Sequence, residues 1–423
     1  MDEASQSDLL SSVLAMSCAK NLVVVGDSNQ LDQIDNTEIY DVSEQLARQY
    51  RVEGRYAYRE NSLLGSARKV FPSAPVTLLR EHYRCQPKII NFINEKYYQN
   101  QLVVMTKDEG DTPITIVTLV EGNHARKNPN GTGQYNQREI DEVDEYVKTL
   151  PATEIGIISP YRIQVQKYQE KFQGDGRIEI DTVHKFQGRQ KEAIILSTVV
   201  NQLEKTEINE RFIDFINNPK LFNVALSRAR KFITLVTTHG LYNSTNNNFS
   251  DFIKYAEYNL EKSRMVKGKV TSVFDMLYSD YTEELYTYLK RHQKSKDVIT
   301  EVIIFDLLNR VLVRYPGLKV AMHVPLHEII KTYEGFSAAD LTYLQHNWTH
   351  VDFLIYNRIT KENLMAVEVD GVQYHEQSEK QAARDAIKNK AFERNAIRLL
   401  RIKTNESNEE GRIQRELEII LGI

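Results

Sequence analysis

Three acidic residues in the last quarter of the sequence have the types and the spacing of a cation site. Asp352 lies near the start of one apolar stretch, and Glu368 and Asp370 end the next, in WTHVDFLIYNRITKENLMAVEVDG. Side chains two positions apart on a strand share a face, and an antiparallel neighbour joined by a short turn brings Asp352 within reach of that face. Converging carboxylates repel one another unless a hard cation such as Mg²⁺ or Mn²⁺ is bound, and such a cation activates water for hydrolysis. The alternative is that these acids are turn residues, because Asp-Gly is a common turn signal.

A second set of polar residues lies in the first part of the sequence. Asp2 and Glu3 are adjacent acids, and the apolar run NLVVV leads into GDSNQL, which places Asp27 and Gln30 just past a predicted strand. Ligands bind at that position in open α/β sheets. Four further segments join polar residues to apolar runs: LLREHYRCQPKII, EIGIISPYRIQVQ, IEIDTVHKFQGRQKEAIILS and LFNVALSRARKFI.

The elements that position these residues follow two patterns. Short β-branched runs, which we predict to be strands, alternate with helical stretches up to about His239; the runs are NLVVVGD, PITIVTLV, EIGIIS and FITLVTT. This alternation predicts a parallel sheet that is covered on both faces by helices, among them QPKIINFINEKYYQN and NQREIDEVDEYVKTL. Beyond Arg291 the predicted order changes to α-β-β-β-α-β-α.

Composition limits the class of protein. The 423 residues are 41% hydrophobic and 26% charged, which is typical of a soluble chain with two or three domains. Its 54 basic and 58 acidic residues give a net charge of −4, so any nucleic-acid site must be a local groove. Two cysteines exclude a disulfide scaffold. No signal peptide or long apolar run is present, so we predict a cytoplasmic protein with no membrane partner.

The six segments around the polar residues resemble, in this order, motifs II to VI of superfamily 1 helicases, most like the 1B group, over residues 1 to about 240. The resemblance implies RecA-like domains that bind and hydrolyse ATP and move along nucleic acid. It assigns Mg²⁺ to Asp2, the attacking water to Glu3 and γ-phosphate sensing to Gln30. Arg84 and Arg228 match two arginines that reach the nucleotide phosphates, for which planar guanidinium groups are well suited.

Motif V and its neighbours add further contacts by the same resemblance. Thr182 and His184 are expected at the nucleic-acid backbone. Nucleotide contacts are expected from Tyr161, Gln187, Gly188 and Gln190. Relatives usually have a glutamate where this sequence has Gln190, a change that removes a charge but keeps hydrogen-bonding capacity.

The phosphate-binding loop GxxxxGK[ST], whose amides and lysine cradle the phosphates, is not found in the sequence. The nearest string, VKGKVTS from Val266, follows no predicted strand and lacks the leading glycine. We therefore expect the chain to be the carboxyl-terminal part of a longer helicase, or part of a split one whose phosphate loop a separate chain supplies. ATP hydrolysis by this chain alone is expected to be negligible.

The segment from about Lys296 to Ile402 resembles PD-(D/E)xK nucleases, in the branch related to very-short-patch-repair endonucleases. The resemblance rests on the element order and on D...ExDGxxxH followed by RDxxKN, and it implies a metal site from Asp352, Glu368 and Asp370. Asp370 stands where these nucleases usually have a lysine. Lys388 is a candidate for the missing positive charge, although an ion pair with Asp385 on the surface is the simpler alternative.

Two further residues match that family. His375 matches a histidine near the scissile phosphate, but a histidine after a turn is often merely exposed. Glu301 matches an acid that helps the metal site, and it could equally belong to the polar face of its helix.

These expectations give an α/β protein in which a RecA-like parallel-sheet domain and the remnant of a preceding one are followed by a restriction-endonuclease-like αβββαβ domain. The predicted ranges are 1–74 for the remnant, 75–240 for the second RecA-like domain, 241–290 for a helical linker and 291–423 for the nuclease. The expected function is that of a helicase–nuclease in DNA repair or antiviral defence, with DNA favoured over RNA. The alternative is a nucleic-acid-binding module, or a split-helicase subunit, without ATPase activity of its own.

Overall fold

The computed structural model describes the chain except for residues 34–36, 121–124, 128–132, 201–209, 239–246, 260, 262, 275–298, 371–378 and 405. The chain divides into two compact units. Unit 1 comprises residues 1–118 and 149–266, and unit 2 comprises residues 119–148 and 267–423.

The helices and strands of the described residues are numbered here in chain order. The helices are α1 (Leu9–Ser17), α2 (Thr37–Gln49), α3 (Leu63–Val70), α4 (Pro87–Tyr98), α5 (Gln137–Val147), α6 (Arg162–Lys171), α7 (Glu210–Asn217), α8 (Pro219–Ser227), α9 (Asn248–Tyr258), α10 (Ile299–Leu312), α11 (Leu326–Ile329), α12 (Ala338–Leu344), α13 (Glu379–Arg394) and α14 (Glu409–Leu421), with a 3₁₀ turn at Gly54–Tyr56. The strands are β1 (Glu81–His82), β2 (Val103–Val104), β3 (Ile114–Leu119), β4 (Ala125–Lys127), β5 (Gln134–Asn136), β6 (Ile155–Ile158), β7 (Ile178–Asp181), β8 (Lys191–Ser197), β9 (Ala229–Thr238), β10 (Ser263–Lys267), β11 (Leu318–Pro325), β12 (His350–Asn357), β13 (Asn363–Asp370) and β14 (Arg398–Lys403).

Unit 1 is built on a six-stranded sheet in the order β10-β3-β9-β8-β6-β7. The strand β6 is parallel to both β7 and β8, and β8 is parallel to β9. All four residues of β6 are buried, as expected for a strand covered on both faces. Unit 1 therefore has the predicted α/β fold, with a parallel-sheet RecA-like core.

An aromatic cluster packs helices together in unit 1. Phe92 of α4 lies 5.1 Å from Phe252 of α9, and Phe222 of α8 lies 6.0 Å from Phe252, measured between ring centroids. Edge-to-face pairs at these distances add to the stabilisation that comes from burial. This cluster fixes α8, whose last residue precedes Arg228.

The segment predicted as the first strand, NLVVVGD from Asn21, does not form a regular strand, so this prediction is wrong. Residues 22–27 have no regular secondary structure, and the amide of Val25 donates to Met1 O at 2.8 Å. Val23 and Val25 are 74% and 43% exposed. A β-branched run becomes a strand only where a neighbouring backbone supplies a continuous ladder, and here the segment's described partner is limited to residues 1–4.

The region predicted as a helical linker contributes more than helices. It contains α9, and it also contains β10, which joins the edge of the sheet beside β3. The rest of that predicted linker lies largely outside the described residues.

Unit 2 has a four-stranded sheet in the order β11-β12-β13-β14. Its first two strand pairs are antiparallel, and β13 is parallel to β14. On one face Phe353 and Ile355 pack with α10 and α14, and on the other face Leu354 packs with Phe392 of α13. The predicted α-β-β-β-α-β-α order is present, with α11 and α12 inserted between β11 and β12. No helix among the described residues is long and apolar enough to cross a membrane.

Candidate functional site

The two amino-terminal acids lie at the surface of unit 1. Asp2 and Glu3 are exposed, and Glu3 has a φ of 52°, in the left-handed region. The Glu3 amide donates to Asp2 Oδ1 at 2.8 Å, and Gln6 Nε2 donates to Glu3 Oε2 at 2.7 Å. A Cβ on Gly26 would lie 3.0 Å from the amide nitrogen of Ser5, so glycine permits the close approach of the two segments.

Gln30 is held by a hydrogen-bond network that reaches two helices. Its Nε2 donates to Asp27 Oδ2 at 3.0 Å, and the Tyr98 hydroxyl of α4 donates to the same oxygen. Asn223 Nδ2 of α8 donates to the Tyr98 hydroxyl at 3.1 Å and to Asn29 O at 2.8 Å. Burial and the charge of Asp27 raise the pKa of Tyr98, so its hydroxyl stays a donor. The predicted sensor is thereby tied to the helix that precedes Arg228.

Arg84 and Arg228 lie close enough to repel each other. Arg84 is exposed, whereas Arg228 is buried, and its Nε donates to Val224 O at 3.1 Å. Burial, followed by repulsion from Arg84, lowers the pKa of Arg228 to about 10, and the negative charge of Glu3 acts in the opposite direction. Three of the predicted catalytic residues therefore share one electrostatic neighbourhood.

The motif V residues form a tight loop between β7 and β8. Phe186 N donates to Thr182 O at 3.0 Å, and Gln187 N donates to His184 O at 3.3 Å. His184, Gly188 and Gln190 are exposed, with Gly188 at a φ of 74°. The Nε2 of Gln187 is buried and has no hydrogen-bond partner among the described residues. His184, Gly188 and Gln190 are thus accessible to a ligand, and the contacts expected of this loop stay predictions.

Tyr161 is placed differently from its prediction as a nucleotide contact. It precedes α6 and is 1% exposed, within the core of unit 1. Its aromatic ring therefore contributes to packing, and a nucleotide contact stays a prediction that this burial does not favour.

In unit 2 the predicted carboxylates meet at the end of the β12–β13 ladder. The register Phe353↔Val367 sets Asp352 opposite Glu368 if it continues by one position. The backbone pairing does not continue there. The Val369 amide donates to the side chain of Asp352 instead, with 2.7 Å between the nitrogen and Oδ2. The two strands separate at Asp352, and its side chain replaces the lost backbone partner.

Glu368 and Lys388 form a buried ion pair beside Asp352. Lys388 Nζ lies 2.7 Å from Glu368 Oε1 and donates to His350 O at 2.9 Å, with both charged side chains about one-tenth exposed. Burial raises the pKa of Glu368 to about 7; Lys388 lowers it, and repulsion from Asp352 raises it further. Lys388 pairs with Glu368 and not with Asp385, so the simpler surface-pair alternative is not found.

Other predicted residues of this site have separate partners. Asp370 Oδ1 accepts from Arg401 at 2.9 Å, and Arg401 also binds Asp385 at 3.2 Å. Glu301 Oε2 lies 2.7 Å from His323 Nε2. These contacts do not favour Asp370 or Glu301 as metal ligands. His375 lies outside the described residues.

The donor set fits a small hard cation only in part. No described group of three or more His, Cys, Asp or Glu side chains is arranged to hold a metal. Asp352 Oδ1 and Glu368 Oε2 have no hydrogen-bond partner within the described residues, and the two acids repel each other. Mg²⁺ is commonly bound by one or two carboxylates together with water and substrate phosphate, so Asp352 and Glu368 would hold it.

Two family models match the chain. One, described as an AAA domain, matches residues 60–240, and the other, described as a protein of unknown function (DUF2726), matches residues 298–420. The "Putative helicase mov-10-B.1" of Danio rerio is 28% identical over 211 residues, which are 42% of this chain and 21% of that protein. The DNA polymerase alpha-associated DNA helicase A of Saccharomyces cerevisiae is 29% identical over 210 residues, which are 42% of this chain and 30% of that protein.

Residues 60–240 match the AAA-domain model and are similar to these helicases, so this part of the chain is called the helicase-like domain below. An ATP-dependent helicase of Methanocaldococcus jannaschii, itself uncharacterized, is 26% identical over 282 residues, which are 61% of this chain and 38% of that protein. The chain thus spans between a fifth and two fifths of the length of these three relatives. A crystal structure of the C-terminal domain of a "possible" DNA helicase from Lactobacillus plantarum covers 43% of this chain and 98% of its own, at 16% identity and a TM-score of 0.26.

Several residues around the two sites were not predicted. In the helicase-like domain these are Tyr98 and Asn223, which connect Asp27 to α8. In unit 2 they are Arg401 and His323, which hold predicted metal ligands. Arg401 lies in the strand AIRLLRI, where a charged side chain between apolar neighbours was a usable signal.

Proposed function

We propose that the helicase-like domain is the motor of an ATP-driven translocase or helicase that acts on nucleic acid. The observation that carries this proposal is the hydrogen-bond network that joins Gln30 and Asp27, through Tyr98, to Asn223 of α8, the helix that precedes Arg228. Phosphoryl transfer depends on positioning and on neutralising charge, and two guanidinium groups supply that charge. The names of the relatives, all helicases, support the same class.

Each predicted residue then has a role in this motor. Glu3 orients the attacking water, and Gln30, fixed by Asp27, senses the γ-phosphate. Asp2 would hold a Mg²⁺ that accompanies the nucleotide. Thr182 and His184 contact the nucleic-acid backbone, and Gln187, Gly188 and Gln190 lie at the nucleotide.

Purified alone, this chain is expected to hydrolyse ATP negligibly, because its sequence has no phosphate-binding loop. Steady-state phosphate release with and without single-stranded DNA measures this. An activity that DNA stimulates and that disappears in Glu3→Gln would overturn the expectation. Activity that appears only on mixing with a second polypeptide would instead support the split-enzyme alternative.

We propose, for unit 2, hydrolysis of DNA phosphodiester bonds at Asp352, Glu368 and Lys388. The proximity of these three groups carries this proposal. Lys388 offers a positive charge for the phosphate oxygens, and Glu368 orients the attacking water, which loses a proton to solvent. The new P–O bond forms as the bond to the leaving oxygen breaks, and that oxygen takes up a proton from solvent. A bound Mg²⁺ would add electrophilic charge.

Nicking of supercoiled DNA tests the unit 2 proposal. Cleavage with Mg²⁺ is expected, and it should be lost with EDTA, in Asp352→Ala and in Glu368→Ala. Glu362→Ala, which changes an exposed acid on the turn between the same strands, should cleave like the parent. Cleavage that persists in both site variants would refute the site, and tight DNA binding without any cleavage would favour the binding-module alternative.

A motor joined to a nuclease would serve DNA repair or antiviral defence in the cytoplasm. This setting rests on association between such activities and those pathways. DNA is favoured over RNA as the partner for the same reason.

A further inference from the structure

One exposed aromatic side chain lies beside the carboxylate–lysine site of unit 2. Trp348 is the only tryptophan of the chain, and 84% of its surface is exposed. It lies in the loop between α12 and β12, four residues before Asp352. Ile359 is equally exposed, but it lies past the other end of β12, about 25 Å away along the strand.

The backbone around Trp348 is fixed although its side chain is exposed. The Trp348 amide donates to His346 Nδ1 at 3.2 Å, and His350 Nδ1 donates to Trp348 O at 3.0 Å. Thr349 N donates to His346 O at 3.0 Å, and Thr349 O accepts from Leu326 N at 2.8 Å. Both peptide groups of Trp348 are therefore held by hydrogen bonds. A ligand that binds the indole does not have to order this backbone, so the entropy cost of binding is small.

The same loop is connected directly to the proposed active site. Lys388 Nζ binds His350 O and Glu368 Oε1 at once, at 2.9 and 2.7 Å. Tyr343 lies in the helix that precedes the loop. Burial raises its pKa, Lys388 lowers it and Glu368 raises it, and the Arg384 guanidinium lies 5.9 Å from the centre of its ring. The Arg384 guanidinium thus adds a second cationic group, after Lys388, at the border of the site.

Three carboxylates in or next to the site have a cationic partner, whereas Asp352 accepts from a backbone amide. Glu368 is paired with Lys388, and Asp370 and Asp385 share Arg401. Arg384, exposed on α13, adds positive charge at the edge of the site. Arg384 therefore offers an anionic strand a positive group at the edge of the site.

We propose that Trp348 stacks on an unpaired nucleobase next to the phosphate that unit 2 binds, so that single-stranded or frayed nucleic acid is the substrate class. This inference deepens the proposed nuclease function and rests on it. An indole can stack on any base, but only on one whose face is uncovered, and inside a duplex both faces of each base are covered by its neighbours. The exposed indole, on a backbone that is held by hydrogen bonds, is suited to such a base.

Because Trp348 is the sole tryptophan, its emission reports on this contact in the full-length chain. The experiment titrates oligo(dT) of twelve nucleotides, or a blunt duplex of the same length, into protein with EDTA, where no cleavage occurs. Oligo(dT) should quench the emission and protect it from acrylamide, and the duplex should do so far less. Saturation is checked by the anisotropy of a labelled oligonucleotide.

Variants supply the second measurement. Trp348→Leu, which keeps apolar volume but cannot stack, should weaken oligo(dT) binding about tenfold. Ile359→Ala should leave both affinity and emission unchanged. Emission that does not change at saturating oligo(dT) would overturn the inference. The same holds if the emission of Trp348 changes only when another protein is added. Quenching without any Mg²⁺-dependent cleavage would overturn the nuclease proposal while the stacking contact stands.

Discussion

The two candidate sites hold their charges in opposite ways. In unit 1 the acids Asp2 and Glu3 are exposed, and the buried guanidinium of Arg228 donates to a carbonyl of its own helix. In unit 2 the buried acid Glu368 is paired with Lys388 at 2.7 Å within a single sheet-and-helix unit. The first arrangement leaves its charges available to a ligand that brings its own phosphates. The second already contains both an acid and a cation.

This difference shows that the strength of a sequence motif and the completeness of a site are separate properties. The unit 1 segments resemble a well-defined set of helicase motifs, yet the predicted catalytic acids Asp2 and Glu3 have hydrogen bonds only to near neighbours in sequence among the described residues. The unit 2 residues match a looser pattern, yet Asp352, Glu368 and Lys388 are close together. Breaking contacts in each unit should therefore have unequal effects.

The largest effect is expected for Lys388→Met, which leaves Glu368 buried without its cation. Removing one partner of a buried pair costs about 3 kcal/mol of unfolding free energy for the unit that contains it. DNA cleavage should also be lost. Urea unfolding of unit 2 measures the first effect and plasmid nicking the second.

Two comparisons make the Lys388 result specific. Glu393→Gln changes an exposed side chain of the same helix and should alter stability by less than about 0.5 kcal/mol. The double variant Glu368→Gln with Lys388→Met should recover much of the lost stability but no activity. If the double variant is as unstable as Lys388→Met, the unpaired charge of Glu368 is not the cause of the lost stability.

An intermediate effect is expected from pH, with opposite signs in the two units. Burial, followed by the charge of Arg84, lowers the pKa of His82 to about 4, and the unfolded chain binds its proton near pH 6.5. Between those values the unfolded state binds more protons, so unit 1 loses about 2 kcal/mol as pH falls from 6.5 to 4. The pKa of Glu368 is higher in the folded chain, at about 7, than in the unfolded chain, at about 4.5. Without a bound metal ion, unit 2 therefore loses stability as pH rises from 4.5 to 7.

Urea unfolding at pH 5 and pH 7 tests this contrast in protein with EDTA. His82→Gln should remove most of the acid sensitivity of unit 1, and Glu368→Gln most of the pH dependence of unit 2. NMR titration of the His82 ring gives its pKa directly. A value near 6.5 would refute the explanation for unit 1.

The sequence identified the fold more fully than the sites. Buried strands such as β6 carry their own signal, because a continuous β-branched run fits a sheet that is covered on both faces. The equally apolar run at Asn21 gave a wrong prediction, since a strand also needs a neighbour and composition does not reveal one. The sequence pattern nominated Lys388 as the positive charge of this site, but its choice of Glu368 over Asp385 depends on how α13 packs across the sheet, 20 residues away in sequence.

The smallest effect is expected for Tyr98→Phe in unit 1. The change removes a hydroxyl that donates to Asp27 and accepts from Asn223, while Asp27 keeps its bonds to Asn29 and Gln30. Losing a neutral donor to a carboxylate costs about 1 kcal/mol of unfolding free energy. The urea midpoint of unit 1 measures it, with Tyr258→Phe, at a site that is 92% exposed, as the matched control. Equal midpoints in the two variants would mean that the network does not hold Gln30 to α8. A loss as large as that of Lys388→Met would mean that the unit 1 site is as tightly held as the one in unit 2.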